Sequence, residues 1–224
     1  MKISQIWTKR KTAKQIKSTL PFCVDGAIRA NYCLGFSDNL PYEKIGKNEP
    51  VCIADEVPFE IPENWEWVRL GALFQHNTGK ALNSSNHSGE LLTYITTSNL
   101  YWNRFELNSL REMYFSKSEI EKCTVTKGDL LVCEGGDIGR SAIWNYDYDI
   151  CIQNHIHRLR PKINLCVPFY YYTFAYLKEN NLIGGKGIGL LGLSSNALHK
   201  IEMPLPPLAE QQRIVQKIEE LFSV

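Results

Sequence analysis

The sequence predicts a mixed α/β fold, one globular domain with a twisted sheet and short helices, followed by a C-terminal helix. Three observations carry that prediction. Short alternating or apolar stretches recur between turn-forming residues, as strands do. Helix-start signals lie between some of them. The last segment then switches to a helical period: Ile214, Ile218 and Leu221, and Val215, Ile218 and Phe222, repeat against polar Gln212, Gln216, Lys217, Glu219 and Glu220.

Taken in order, residues 1–55 read as an irregular, polar lead-in without a sustained period of either kind. Pro58 and Pro62 break regular structure before Trp65, where the main domain, residues 56–205, begins. Trp65–Leu70 alternates and ends at Gly71, a strand signature. Further strands are expected at Leu91–Thr97, Thr124–Val125, Asp129–Glu134, Ser141–Trp144, Ile150–Leu159 and Ile201–Leu205. Ser116 with Glu119 three places on fits a capping box, which satisfies two free backbone N–H groups at a helix start. Pro168 suits the first turn of a helix running to about Glu179. Residues 206–224 form the terminal helical segment.

The chain has 224 residues, 44% hydrophobic and 22% charged, an ordinary balance for a soluble globular protein. No apolar run approaches the roughly 18–20 residues of a membrane span. The basic N-terminus (Lys9, Arg10, Lys11, Lys14, Lys17) is not followed by a signal-type apolar stretch, so no membrane or export role is expected. The 7 cysteines contain no Cys-x-x-Cys pair, and their odd number does not suit a closed disulfide set. Reduced, structural thiols in the cytoplasm are expected. A net charge of +1 means that any nucleic-acid role rests on a local basic face or on a partner.

Motifs for chemistry are absent or incomplete. Leu130–Arg140 joins an apolar strand to a glycine-rich turn, but a phosphate-binding loop needs a helix next, and Ser141–Trp144 reads as another strand. A tight hairpin whose glycines take positive φ is the better reading, with Arg140 at its tip. Asn39-Leu40-Pro41-Tyr42 is one residue away from the Asn-Pro-Pro-Tyr motif of amino-methyltransferases, with no cofactor half around it. Asp129 and Glu134 flank a strand without the lysine a metal-dependent nuclease requires. Ser194 and Ser195 lack a nucleophile elbow. His155 and His157, two apart, read as a polar strand face, and the second ligand pair of a zinc site is missing. Neither a metal nor a cofactor is expected. The glycine-dense stretch around Lys186 is either a plain surface loop or a place where backbone approaches a duplex closely.

The segment Pro204-Leu205-Pro206-Pro207-Leu208-Ala209-Glu210-Gln211-Gln212-Arg213-Ile214-Val215 is distinctive. It resembles the junction between target-recognition domain and helix in the specificity subunit of Type I restriction–modification enzymes. Pro58-Phe59-Glu60-Ile61-Pro62-Glu63-Asn64-Trp65-Glu66-Trp67-Val68-Arg69-Leu70-Gly71 looks like the start of that domain. Lys127–Leu131, Gly135–Gly139 and Gln153–His155 are similar to weaker signatures of the family. The resemblance implies a non-catalytic reader of double-stranded DNA. It would direct methylation (M) and motor/cleavage (R) subunits to a target, with residues 206–224 starting a scaffold helix. Full-length members carry two recognition domains; this chain holds one, which fits a half-size subunit, a truncated or silent cassette, or half of a longer protein. Residues 1–38 match nothing in the family pattern. The rival readings are a small methyltransferase or nuclease with an unrecognised site, and a remnant that no longer reads DNA.

Five residues are candidate DNA contacts on this reading: Arg140, Gln153, Asn154, Lys186 and Ser195. Arginine pairs bidentately with guanine and Gln or Asn with adenine, while a lysine on phosphate carries no sequence information. Leu208, Ile214, Val215, Ile218, Leu221 and Phe222 form an apolar stripe expected to project and to meet a partner or a second copy of the chain.

Overall fold

The computed structural model describes residues 40–183 and 192–223 apart from 46, 63, 84 and 86, together with the backbone at 23–24 and 27–28. Four short strands come first: β1 (Cys23–Val24), β2 (Ala27–Ile28), β3 (Tyr42–Ile45) and β4 (Val51–Cys52), hydrogen-bonded in that order. The lead-in is thus not wholly irregular. Its strands span two to four residues, too few to show a period. Arg69 fastens this segment to the domain, pairing with Glu43, Glu56 and Glu202 at 3.1, 2.7 and 2.7 Å.

β5 (Glu66–Arg69) turns directly into the single-turn helix α1 (Leu70–Leu73), so the expected strand ends one residue early, and β6 (Phe74–Thr78) follows. Next come β7 (Glu90–Ile95), the hairpin β8 (Leu100–Tyr101) and β9 (Arg104–Phe105), and β10 (Arg111–Phe115). Helix α2 (Lys117–Cys123) carries the capping box: Glu119 N–H donates to Ser116 Oγ, and Ser116 N–H donates to the Glu119 carboxylate at 2.8 Å. Lys80 Nζ, 2.7 Å away, is the main reason this carboxyl is held down at about 2.

β11 (Thr124–Val125), β12 (Leu130–Cys133) and β13 (Ser141–Ile143) match the expected strands within a residue or two. The expected strand over 150–159 is instead two: β14 (Ile150–Ile152) and β15 (Ile156–Pro161). β14 lies between β7 and β11 in one sheet, ordered β10-β7-β14-β11. β15 lies between β12 and β6 in another, ordered β13-β12-β15-β6. The turn Gln153–His155 hands the chain from sheet to sheet. Helix α3 (Val167–Glu179) has Pro168 in its first turn; α4 (Ser195–His199), β16 (Glu202–Leu205) paired with β5, and α5 (Leu208–Phe222) complete the chain.

The β12 strand shows how the layers stack. Leu130 and Val132 face a core shared with Phe169, Tyr170 and Phe174 of α3, whereas Leu131 and Cys133 face a second core with Ile95, Phe115 and Ile152. Successive strand residues point to opposite faces, so the sheet of β12 is covered on both sides. Its four-residue apolar run follows from that position.

The terminal stripe is divided. Val215 is buried in the core shared with α3 and Ile214 packs against it, Ile218 is fully buried, and Leu221 and Phe222 stay exposed at the tip. Gln211 is also buried: its Oε1 accepts from Cys166 N–H (3.0 Å) and its Nε2 donates to the Pro206 carbonyl (2.9 Å). The helix therefore folds back over most of its length, and only its last turn projects. No helix among the described residues is long and apolar enough to cross a membrane.

Candidate nucleic-acid interface

Hydrogen bonds bring three separated segments to one rim of the two sheets. The glycine hairpin between β12 and β13 is closed by Cys133 N–H to the Arg140 carbonyl (2.8 Å) and Gly139 N–H to the Cys133 carbonyl (3.1 Å). Gly136 and Gly139 take φ of +73° and +82°, the left-handed conformation that such a tight turn requires. Beside it, Gln153 N–H donates to the Ile95 carbonyl at the end of β7, and Asn154 N–H to the Lys80 carbonyl, each 3.0 Å. Glu134 N–H reaches the His155 carbonyl (3.0 Å), tying the hairpin to the inter-sheet turn. Arg140, Gln153 and Asn154 thus share one region, but Arg140 stands at the base of the hairpin and not at its tip, and Gln153 and Asn154 lie on a turn rather than on the expected strand.

Lys80 anchors the turn from beneath. Its ammonium donates to the Tyr114 carbonyl and to Glu119, each 2.7 Å, and lies 5.5 Å from the Phe115 ring centroid. Gly79 passes so close to the turn that a Cβ would stand 2.1 Å from the Ile152 carbonyl oxygen.

Both flanks of the segment 184–191 touch the same hairpin. Ile183 lies where a Cβ on Gly139 would be, 2.3 Å from its Cδ1, and Leu193 N–H donates to the Glu134 carbonyl at 2.6 Å. Ser195 follows two residues later, half-buried at the start of α4, where Ser194 Oγ accepts from Ala197 N–H. Lys186 lies outside the described residues.

Arg140 is fixed on several sides. Its Nη2 donates to the Thr97 carbonyl (2.7 Å), and its guanidinium lies 5.3 Å from the Tyr101 ring centroid. Arg104 lies over the same ring at 4.9 Å. Sequence reading missed Tyr101 and Arg104, whose only signal is an aromatic pair next to an arginine in Tyr101-Trp102-Asn103-Arg104. Among the described residues neither guanidinium has a carboxylate partner within ion-pair distance, while the hairpin's own Glu134 and Asp137 pair with His155 and Lys178.

His155 and His157 do not share a face. His155 is exposed and contacts Glu134 at 3.2 Å, whereas His157 is buried and bonded to the Leu193 carbonyl and to His76. His76, His157 and His199 form a linear chain rather than a convergent ligand set, and no metal-type cluster occurs among the described residues. Burial raises the thiol pKa of Cys123, Cys133 and Cys151, the last to about 11, which keeps them protonated and unreactive.

The two distinctive motifs meet in space: Trp65 Nε1 donates to Glu210 Oε2 at 3.2 Å. A family model for the type I restriction modification DNA specificity domain matches residues 62–223, a span that holds the whole second motif and the first from Pro62 onward. The chain belongs to this family. Among curated relatives, the chain is 24% identical over 190 residues to the type I restriction enzyme EcoAI specificity subunit of Escherichia coli, covering 80% of this chain and 32% of that protein. It is 26% identical over 180 residues to the EcoBI specificity subunit of the same organism, covering 75% and 37%. The chain thus spans about a third of the length of these relatives. The HsdS subunit from Thermoanaerobacter tengcongensis has a similar fold, with a TM-score of 0.57 and 23% identity over 74% of this chain and 39% of that one.

Proposed function

We propose that the specificity domain reads a sequence in double-stranded DNA for separate methylation and cleavage subunits, in the cytoplasm, and makes or breaks no bonds itself. Family membership over residues 62–223 is the observation that carries this reading. The rim of turns supports it: Arg140 offers donors to a guanine edge, and Gln153 and Asn154 suit adenine. Lys186, on the chemistry of its side chain alone, and Ser195 are assigned to phosphate contacts. Residues 56–205 serve as the reading unit and α5 as the link to the assembly, with exposed Leu221 and Phe222 available to a methylation subunit or to a second copy of the chain.

The test is methyl transfer from labelled S-adenosylmethionine to a random duplex library, by the chain alone and by its complex with a methylation subunit. The complex is expected to modify one family of sequences and the chain alone none. Transfer or cutting by the isolated chain, or transfer by the complex without sequence preference, would overturn the proposal.

A further inference from the structure

We infer that the β8–β9 hairpin is a second DNA-contacting element, in which Tyr101 holds Arg140 in position for a base edge and Arg104 meets a backbone phosphate. The inference rests on the DNA-reading function proposed above and assigns roles to two residues outside its contact set.

Register places the two residues together. Tyr101 pairs directly with Arg104, and Leu100 with Phe105. The two pairs face opposite ways. Leu100 is fully buried, and Phe105 packs edge-on against Trp144 with ring centroids 5.0 Å apart. Trp102, at the turn, packs on Tyr171 at 6.2 Å, and Asn103 closes the turn with φ of +54°. Asn103 N–H also donates to the Ser141 carbonyl (3.2 Å), one residue beyond Arg140. The hairpin is therefore seated on the domain by its inner face, and it presents an exposed aromatic ring and an exposed guanidinium on the outer one.

Chemistry separates the roles of the two arginines. Arg140 has its Nε buried, one Nη2 proton committed to Thr97 and its side chain against the Cys133 thiol, contacts that fix the plane of the fork. A fixed planar fork suits a base edge, since discrimination between bases depends on geometry. Arg104 is exposed and lies over the ring, which suits a phosphate, where charge counts for more than angle. An exposed tyrosine beneath two cations for which no carboxylate ion pair is formed among the described residues is suited to a polyanion; an acidic protein surface is the competing partner that the experiment separates.

The experiment uses the full chain in complex with its methylation subunit and a random duplex library, comparing Tyr101→Ala, Tyr101→Phe, Arg104→Ala and Arg140→Ala. Arg104→Ala is expected to weaken all duplexes alike and to lower the slope of log affinity against log salt by about 1. Tyr101→Ala is expected to relax selection at the base position relaxed by Arg140→Ala, while Tyr101→Phe, which keeps the ring, retains it. An unchanged salt slope for Arg104→Ala, or unchanged selection for Tyr101→Ala, overturns the inference, as does a loss of methylation-subunit binding with DNA selection intact. Should Tyr101→Ala fail to fold, the exposed Arg104→Ala decides alone. If the parent complex selects no sequence, the underlying DNA-reading function fails, and this inference falls with it.

Discussion

His157 Nε2 lies 2.6 Å from the Leu193 carbonyl, and this contact sets the tautomers of three histidines. A carbonyl only accepts, so Nε2 carries the proton. Burial pushes the His157 pKa down and keeps the ring neutral, leaving Nδ1 to accept from His76 Nε2 at 2.8 Å. Burial, then the neighbouring His157 and His199, lower His76 from 6.5 to about 4, so its Nδ1 accepts in turn from His199 Nε2 at 3.0 Å.

A pH dependence of stability follows. Below pH 6.5 the unfolded chain takes up a proton at His76 that the folded chain refuses until about pH 4. The stability contributed by this group is complete above the unfolded value and is lost as pH falls through that window. Urea midpoints measured from pH 7 to pH 4 should fall, and His76→Gln should reduce the proton uptake on unfolding by about one. Identical pH profiles for the two proteins would refute the linkage.

Ile218→Asp should unfold the domain rather than disturb an association surface. Ile218 is fully buried, so the change removes a core side chain and buries a charge, a loss above about 3 kcal/mol. Leu221→Asp, at a residue 36% exposed, should stay within about 0.5 kcal/mol of the parent. Urea denaturation separates the two, and sedimentation of the Leu221 variant reports whether the helix tip mediates self-association.

Gly79→Ala should cost about 1–3 kcal/mol, because the new methyl meets the Ile152 and Gln153 carbonyl oxygens at 2.1 and 2.4 Å, and these backbone atoms have little room to yield. Faster amide exchange at Gln153 and Asn154 is the accompanying signature. Protection equal to the parent's would show that the strand pair absorbs the methyl elsewhere.

Asp129→Ala removes a carboxylate that is 1% exposed and accepts from Arg160 Nε and Nη2 at 2.8 and 2.6 Å. A destabilisation of about 1.5–3 kcal/mol is expected, the range for hydrogen bonds to charged groups. Thermal unfolding of Asp129→Asn, which retains an acceptor for Thr126 N–H, should fall between parent and alanine variant.

Local signals in the sequence were the most legible. The Ser116 cap, Pro168 and the Leu130–Cys133 run depend on neighbours within a few residues, and each appears where expected. The break between Ile152 and Ile156 was not legible, because no glycine or proline marks it and only the partner strands reveal two sheets. The α5 stripe looks the same whether the helix projects or folds back; contact with α3 decides it. At the rim, the turn that carries Arg140 was legible from its glycines, but the Tyr101–Arg104 pair sits on strands of two residues each, too short to show a pattern.

Because Ile183 and Leu193 are both moored to the Glu134–Gly139 hairpin, the chain between them is a span held at both ends by one support. Closing such a span costs free energy only logarithmically in its length, about 0.6 kcal/mol for each doubling. Lengthening or shortening this segment is therefore expected to cost the chain little stability and to leave the β12 layer beneath as it is.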